Sequence, residues 1–271
     1  MSKKQRNISL AVFIGLVVLL LVGIFLTKGA PKTETVTETM RDAVLHESAR
    51  INLFGITVNP ALISAFCVTG VLLLAALLLR IFAVPRFKDR PGKLQLLLEQ
   101  GVGLFDGLAH ENGTRKTRFL SAYVFTAGAY IFFGTLFELL GFQAVTTAGA
   151  PVSLPAPLAD INGAISLGVL SYSVILFGGL FAAGPKGAGR ALKDISLPIS
   201  MSFRLFGALL SGAIITELVY YYFATSFVIP VIVGVLFTLL HAVIQAYVLT
   251  MLTSHFYEES TEKKPKKVKA K

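Results

Sequence analysis

Residues 58–83 read VNPALISAFCVTGVLLLAALLLRIFA, a stretch in which nearly every side chain is apolar. A helix rises about 1.5 Å per residue, so this stretch is long enough to cross a hydrocarbon core of about 30 Å. The whole chain has the same character, with 54% hydrophobic residues, a mean hydropathy of +0.72 and only 15% charged residues. Soluble domains carry about 25% charged residues. The stretch therefore predicts a membrane-spanning helix.

Five further apolar segments have a similar length. In lipid every backbone polar group needs a partner within its own segment, so each continuous run predicts a helix rather than a barrel strand. The six predicted spans are about Ile8–Leu26, Val58–Ala83, Phe119–Leu140, Ile161–Ala183, Leu197–Phe223 and Phe227–Phe256. The predicted fold class is an all-α integral membrane protein with about six hydrophobic helices.

The segment between the second and third spans, Pro85–Arg118, is charged yet carries apolar residues at helical spacing. These residues are Leu94, Leu97, Leu98, Val102, Phe105 and Leu108. The pattern predicts an interfacial amphipathic helix that lies along the membrane surface. The chain is accordingly predicted to divide into an anchor helix with an external linker (1–57), a domain of five spans (58–257) and a basic tail (258–271).

The net charge of +10 is distributed unevenly across the predicted spans. If the N-terminus lies inside, nineteen Lys and Arg residues fall in inner segments and four fall in outer segments. This positive-inside bias predicts that both termini are cytoplasmic, and orientation explains the charge without a nucleic-acid partner. The first span follows Lys3, Lys4 and Arg6, as a signal peptide would. Its length and the lack of a nearby A-x-A-like site favour a retained anchor over a cleaved one.

The residues needed for several kinds of chemistry are missing from the sequence. The single cysteine, Cys67, lies within an apolar span, so no disulfide framework and no Cys/His metal spacing exists. No Gly-rich phosphate-binding loop is found either. We therefore predict no metal site, no cofactor and no bound nucleotide.

Two basic residues lie within predicted spans rather than in loops. Arg80 is one turn from a helix end, so its guanidinium can extend to the membrane surface. Arg204 is about two turns inside the fifth span, where a charge costs several kcal/mol unless it has a partner or a wet cavity. Arg204 is therefore either a snorkelling side chain or a functional cation.

Small residues follow Arg204 at spacings of three, four, seven and eight, which puts them on its face of the helix. They are Gly207, Ala208, Ser211 and Gly212. Such a face lets another helix approach closely. Two interpretations stay open: packing against a helix of the same chain, or a sliding surface for a partner helix that carries a carboxylate.

Polar residues also lie within the last span and near the outer helix ends. Thr238, His241 and Gln245 are spaced by three and four, so they share one face. They either hold helices together or line a water-filled path. Glu217 is about 20 Å along its helix from the arginine, too far for a direct pair, and is a candidate lining residue of an outer ion path. Asp160 lies at the outer edge of the fourth span.

Three stretches of the sequence carry a family resemblance. Residues 198–212 read PISMSFRLFGALLSG, residues 244–257 read IQAYVLTMLTSHFY, and residues 157–162 read PLADIN. Together they resemble subunit a of bacterial F-type ATP synthases, and the resemblance extends over about residues 50–258 with the spans in the same order.

This resemblance implies roles for particular residues. Arg204 matches the family's essential stator arginine, and Gln245 matches its polar partner on the last helix. The last two spans are implied to form a long, tilted hairpin against a ring of c-subunits. The chain departs from the family at Ala208, where Asn is common, at Ala213, where Glu is common, and at Thr238, where His is common. Glu217 and His241 are the nearest substitutes along the outer path.

The resemblance also implies a function. The chain would be the stator subunit of the membrane sector, giving the rotating c-ring two ion half-channels and coupling H⁺ or Na⁺ flow to ATP synthesis, with no catalysis on its own. The implied partners are the c-ring proteolipids, the b subunits of the peripheral stalk and the bilayer of a bacterial plasma (inner) membrane. Two alternatives are an ion-coupled secondary transporter, which would usually show internal repeats, and a scaffold, which leaves Arg204 unexplained.

Overall fold

The computed structural model describes most of the chain between residues 51 and 262. The described ranges are 51–53, 56–110, 118–145, 151–221 and 229–262, with scattered positions before residue 51. The first predicted span, Ile8–Leu26, thus lies outside the described residues except for a few helical positions between Val12 and Val22. The end of the basic tail, 263–271, lies outside them as well.

Seven helices and two short antiparallel hairpins are defined within these ranges. The helices are α1 (Pro60–Leu78), α2 (Lys93–His110), α3 (Arg118–Phe137), α4 (Ile161–Ala183), α5 (Pro185–Lys193), α6 (Leu197–Tyr221) and α7 (Ile229–Thr261). The hairpins pair β1 (Ile51–Leu53) with β2 (Ile56–Val58), and β3 (Gln143–Val145) with β4 (Pro151–Ser153). Short π and 3-10 turns extend α1 to Arg86 and α3 to Leu140.

Five of the helical segments are long and apolar enough to cross a membrane. They are Pro60–Arg86, Arg118–Leu140, Ile161–Ala183, Leu197–Val219 and Ile232–Thr261. These segments match the last five predicted spans, so the predicted all-α membrane class is confirmed. Large apolar side chains also point away from the bundle, as Phe181 does with 85% of its surface exposed. Outward apolar surface of this kind is what contact with lipid requires.

α7 is the central helix of the bundle. It packs against α2, α3, α4, α5 and α6. The buried core around it joins Val124 and Ile131 of α3, Ile175 of α4, and Met201 and Leu205 of α6. Any residue on the inner face of α7 is therefore held in place by several neighbours at once.

The amphipathic helix predicted from Pro85–Arg118 is α2. The Phe105 ring lies where a Cβ on Gly128 of α3 would be, and Ala109 is fully buried. α2 thus packs on the bundle through one side, while Leu94 and Leu97 remain exposed. The helix is confirmed, and its position along the membrane surface stays a prediction.

The chain reverses direction sharply after α4. Gly184 has φ +66° and ψ −151°, a conformation that is essentially restricted to glycine, and Pro185 then begins α5. α5 runs back along α4, and the Tyr172 hydroxyl of α4 donates a hydrogen bond to the Ala191 carbonyl at 3.2 Å. The basic segment between the fourth and fifth spans is therefore a helix packed on the bundle.

Because α5 runs back along α4, α6 begins deep beside α4 rather than at its end. A Cβ on Gly168 would lie 2.9 Å from the Pro198 carbonyl oxygen and 3.2 Å from the Ser202 nitrogen. Gly168 precedes the end of α4 at Ala183 by fifteen residues, which is about 22 Å of helix. The crossing of α4 and α6 is consequently far from the end where α4 stops.

The last helix is longer than the sequence predicted. The sixth span was expected to end near Phe256 and the tail to begin at Glu258, but α7 continues to Thr261. Its final carbonyl groups find a donor in Arg190 of α5, which bonds the Glu259 carbonyl at 2.8 Å and the Glu262 carbonyl at 2.6 Å. Helix ends need such donors because their last carbonyls have no partner within the helix.

Candidate functional site

Arg204 is deeper in the bundle than its distance from the start of the span suggests. It lies two residues beyond Ser202, which marks the crossing with Gly168, so it is about 22 Å along α4 from the end of that helix. The sequence had placed it only about two turns inside. Gly168 is also seven residues, or about 10 Å, from the start of α4 at Ile161, so the level of Arg204 lies within the length of this membrane-spanning helix.

The Arg204 side chain lies on an open face of α6. Phe203, Arg204, Gly207 and Ser211 are all exposed on this helix, and we call these residues the open face. Within the described ranges the Arg204 guanidinium donates no hydrogen bond and forms no ion pair. A guanidinium at this depth needs a partner that the described chain does not supply.

The small residues of the open face are not needed for packing inside this chain. A Cβ on Gly207 would find no atom of the described chain within 4 Å. The Ser211 hydroxyl donates to the Ala208 carbonyl at 2.8 Å, so its polar group is satisfied along the helix. This arrangement favours the second interpretation of the small residues, a surface that a partner helix approaches.

Gly212 differs from the other small residues, because its surroundings agree with the first interpretation, packing against a helix of the same chain. A Cβ on Gly212 would lie 3.5 Å from Nδ1 of His241 in α7, so this glycine faces α7 rather than the open face. The reason is geometric, because eight residues of helix rotate by about 80° beyond two full turns. We therefore assign Gly212 to the contact between α6 and α7.

The polar stripe of α7 lies along that contact. His241 meets Gly212, and its ring centroid is 5.9 Å from that of Phe237. Gln245 follows one turn later and is only 7% exposed, and its Oε1 has no hydrogen-bond partner among the described atoms. An unsatisfied buried amide oxygen costs about 1–3 kcal/mol, so such groups are normally paired with a donor or with water.

The Gly212–His241 contact also fixes how α6 and α7 are aligned. The two helices run antiparallel, so a step of four residues brings Ala208 level with Gln245. Arg204 is one further turn along α6, about 6 Å away along the axis. The structure thus brings the arginine and the buried amide to adjacent levels.

The two candidate carboxylates lie toward the end of the bundle where α4 begins, opposite the end that carries α5 and the last turn of α7. Asp160 precedes α4 and caps it, because its Oδ1 accepts hydrogen bonds from the Asn162 backbone N–H at 3.2 Å and from the Asn162 side chain at 3.3 Å. Glu217 is partly buried in α6, about 20 Å of helix beyond Arg204. Thr238 is partly buried one turn before His241. Neither carboxylate forms an ion pair with Arg204 within the described ranges.

Sequence reasoning missed the residues that set this geometry. Gly168 allows α6 to cross α4, and Arg190 holds the end of α7. A glycine inside an apolar span is a signal for close helix contact. No local pattern indicated that Arg190, in a short basic segment, would bond the backbone of a helix about seventy residues later.

Comparison with known proteins gives one consistent result. The family model described as "ATP synthase A chain" matches residues 61–258. ATP synthase subunit a of Acidothermus cellulolyticus is 29% identical over 188 residues, covering 63% of this chain and 66% of that protein. ATP synthase subunit a of Histophilus somni is 25% identical over 199 residues, covering 60% and 74%.

The counterpart from Bacillus velezensis extends the similarity over more of the chain. It is 26% identical over 237 residues, covering 77% of this chain and 94% of the relative. The family match contains α1 without its first residue, α2 to α6, and α7 without its last three residues, and it includes the open face and Gln245. Since that match spans well over half of the sequence, the chain belongs to the ATP synthase A chain family.

Proposed function

We propose that this chain is the stator subunit of the membrane sector of an F-type ATP synthase, which couples ion flow through the membrane to rotation of a c-ring. One observation carries the proposal: an exposed arginine without a partner in the described chain lies within the membrane-spanning length of the bundle, on a face of small residues. A ring of helices, each with a carboxylate at mid-membrane, provides the missing partner and fits closely against such a face.

Arg204 acts on the ring carboxylate electrostatically. While a carboxylate faces lipid it holds a proton or a cation, because an isolated charge in lipid is strongly unfavourable. Beside the Arg204 guanidinium the carboxylate form is stabilised, so the ion is released. The same fixed cation repels ions that would pass directly from one half-channel to the other. Rotation then becomes the favoured route for H⁺ or Na⁺.

Gln245 holds Arg204 in place and shares its hydration. The orphaned Oε1 accepts a hydrogen bond either from the guanidinium one turn away or from water of a half-channel. Toward the other end of the bundle, His241, Thr238, Glu217 and Asp160 provide polar groups for the ion's entry path. Asp160 serves this path with the oxygen that does not cap α4.

The end of the bundle that carries Arg118, α5 and the end of α7 faces the cytoplasm. We call it the basic end, because α5 alone contributes Lys186, Arg190 and Lys193. The positive-inside rule supports this orientation and a bacterial plasma membrane location with both termini inside. The open face then meets the c-ring proteolipids, and the b subunits of the peripheral stalk keep the subunit from rotating.

The orientation is tested by labelling single cysteines. The native Cys67 is first replaced by Ser, and cysteines are then placed at Thr147 or Lys267 in separate variants. A membrane-impermeant maleimide should label the Thr147 position from outside intact cells and the Lys267 position only after the membrane is opened. Labelling of both positions from outside would reject the proposed orientation.

The function is tested with Arg204→Ala in the complete complex reconstituted into proteoliposomes. ATP synthesis under an imposed ion gradient should be abolished, and passive ion leak should rise because the electrostatic barrier is gone. Arg80→Ala is the matched control, since Arg80 is also an exposed arginine of a membrane span but lies in the π turn after α1, outside α6. Near-normal synthesis by Arg204→Ala would falsify the proposal.

A further inference from the structure

Three chain segments meet at the basic end with almost no side chain between them. A Cβ on Gly187 of α5 would lie 2.7 Å from the Gly179 carbonyl carbon of α4 and 2.9 Å from the Ser260 carbonyl oxygen of α7. A Cβ on Gly179 would lie 3.0 Å from the Gly187 carbonyl oxygen and 3.0 Å from the Ser260 Cβ. Only glycine permits so close an approach of backbones.

Arg190 closes this junction by bonding the end of α7. Its Nη1 donates to the Glu259 carbonyl at 2.8 Å, and its Nη2 donates to the Glu262 carbonyl at 2.6 Å. The Glu259 oxygen belongs to the last turn of α7 and the Glu262 oxygen follows directly after its end at Thr261, where carbonyls lack partners within the helix and a cation is favoured. Hydrogen bonds from a charged donor are also stronger than neutral ones.

The junction is attached to α4 from two directions. Tyr172 of α4 bonds α5 at the Ala191 carbonyl. The Ser260 hydroxyl of α7 donates to the Ile175 carbonyl of α4 at 3.2 Å. The Tyr257 ring of α7 occupies the space where a Cβ on Gly178 would lie. The end of α7 is therefore fixed to α4 both directly and through α5.

The junction is connected along the chain to both Arg204 and Gln245. α5 leads into α6 after only three residues, and the Leu197 N–H donates to the Asp194 carbonyl at 2.9 Å within that connection. Arg204 is fourteen residues after Arg190, and Gln245 is fourteen residues before Glu259. From the contact between Arg190 and Glu259, the chain therefore leads through α5 and α6 to Arg204, and back along α7 to Gln245.

We propose that Arg190 is a positioning residue for ion transport. By joining α5 to the end of α7, it fixes the lengthwise alignment of α6 and α7 and so keeps Arg204 and Gln245 at adjacent levels. The roles of those two residues rest on the proposed function. Without Arg190, α7 shifts relative to α6, the amide no longer supports the guanidinium, and ions pass between the half-channels without turning the ring.

The test compares Arg190→Ala, Arg190→Lys and Lys193→Ala in the complete reconstituted complex. Lys193 is the matched control, because it is exposed on the same helix and its loss changes the charge equally. Arg190→Ala should lower ATP synthesis by about tenfold, since a displacement of about 1 Å can cost more than that. Passive leak per complex should rise. Arg190→Lys should fall between, and Lys193→Ala should match the wild type.

Whether the passive leak rises or falls distinguishes a positioning role from a loss of assembly. Fewer assembled complexes would lower synthesis and leak together, whereas a misaligned site lowers synthesis and raises leak. Hydrogen exchange of the complex adds a local readout, because the amides of residues 255–262 should exchange faster in Arg190→Ala. Wild-type leak and wild-type exchange in Arg190→Ala would overturn the proposal.

Two further outcomes are decided by the same set of variants. If Arg190→Ala does not assemble, Arg190→Lys carries the test, and wild-type leak and exchange in that variant also overturn the proposal. An Arg204→Ala complex is measured in parallel. Normal synthesis by that complex rejects the proposed function, while faster exchange at residues 255–262 in Arg190→Ala still reports that Arg190 holds α7.

Discussion

Gly168 and Gly207 are both glycines in membrane spans close to Arg204, and their surroundings are opposite. A Cβ on Gly168 would meet Pro198 and Ser202 where α4 crosses α6, whereas a Cβ on Gly207 would meet no atom of the described chain within 4 Å. The first glycine is required for the bundle to close. The second leaves room that this chain does not use. Small residues on one pair of helices therefore serve two purposes, and only their neighbours distinguish them.

The largest effect is expected at the closed contact. Gly168→Leu forces α4 and α6 apart, and overpacking of a tight contact lowers the free energy of unfolding by about 3 kcal/mol or more. We expect little assembled complex and a lower thermal midpoint for whatever is recovered in detergent. Assembly at the wild-type level with an unchanged midpoint would show that the two helices do not cross at Gly168.

The same change on the open face should separate function from stability. Gly207→Leu is expected to leave the thermal midpoint close to that of the wild type, since exposed substitutions alter stability by only about 0.5 kcal/mol. ATP-driven ion pumping by the complex should fall by at least about tenfold, because a bulky side chain holds the partner helix away.

Gly70→Leu is the control for this effect. Gly70 is also exposed in a membrane span and has no neighbour within 4 Å of a Cβ, but it lies in α1, which packs on α3. It should pump at the wild-type rate. Equal pumping by the Gly207 and Gly70 variants would remove the open face as a partner surface.

A smaller effect is expected from Gln245→Leu. Leucine removes the unpaired Oε1 from a buried site, and replacing an unsatisfied polar group by an apolar one is near neutral or stabilising. The thermal midpoint should therefore stay level or rise, while ATP synthesis falls by about fivefold because Arg204 loses its neighbouring acceptor. A clear drop in the midpoint would indicate instead that Gln245 is paired within the bundle.

The smallest effect is expected at the contact between α6 and α7. In Gly212→Ala the new methyl group lies at 3.5 Å from the His241 ring, which is an ordinary van der Waals contact. Synthesis should remain within about twofold of the wild type, whereas Gly212→Leu displaces His241 and should lower synthesis much further. Equal rates for these two variants would place Gly212 on an open surface instead of at the contact with α7.

The sequence by itself determined the membrane class, the last five spans and the family. Continuous apolar runs leave helices as the permitted form in lipid, so the bounds of α4, Ile161–Ala183, agree with the predicted span residue for residue. The identity of Arg204 as the unusual cation also followed from the sequence, because a guanidinium inside an apolar run is costly wherever the run is placed.

The tertiary structure alone decided the depth of Arg204, the face of Gly212 and the length of α7. Depth depends on α5 running back along α4, and that return rests on the glycine conformation at Gly184 and on contacts between segments far apart in the chain. The end of α7 depends on a donor about seventy residues earlier, Arg190. Periodicity describes one helix at a time, whereas these features are set by which neighbours a residue meets.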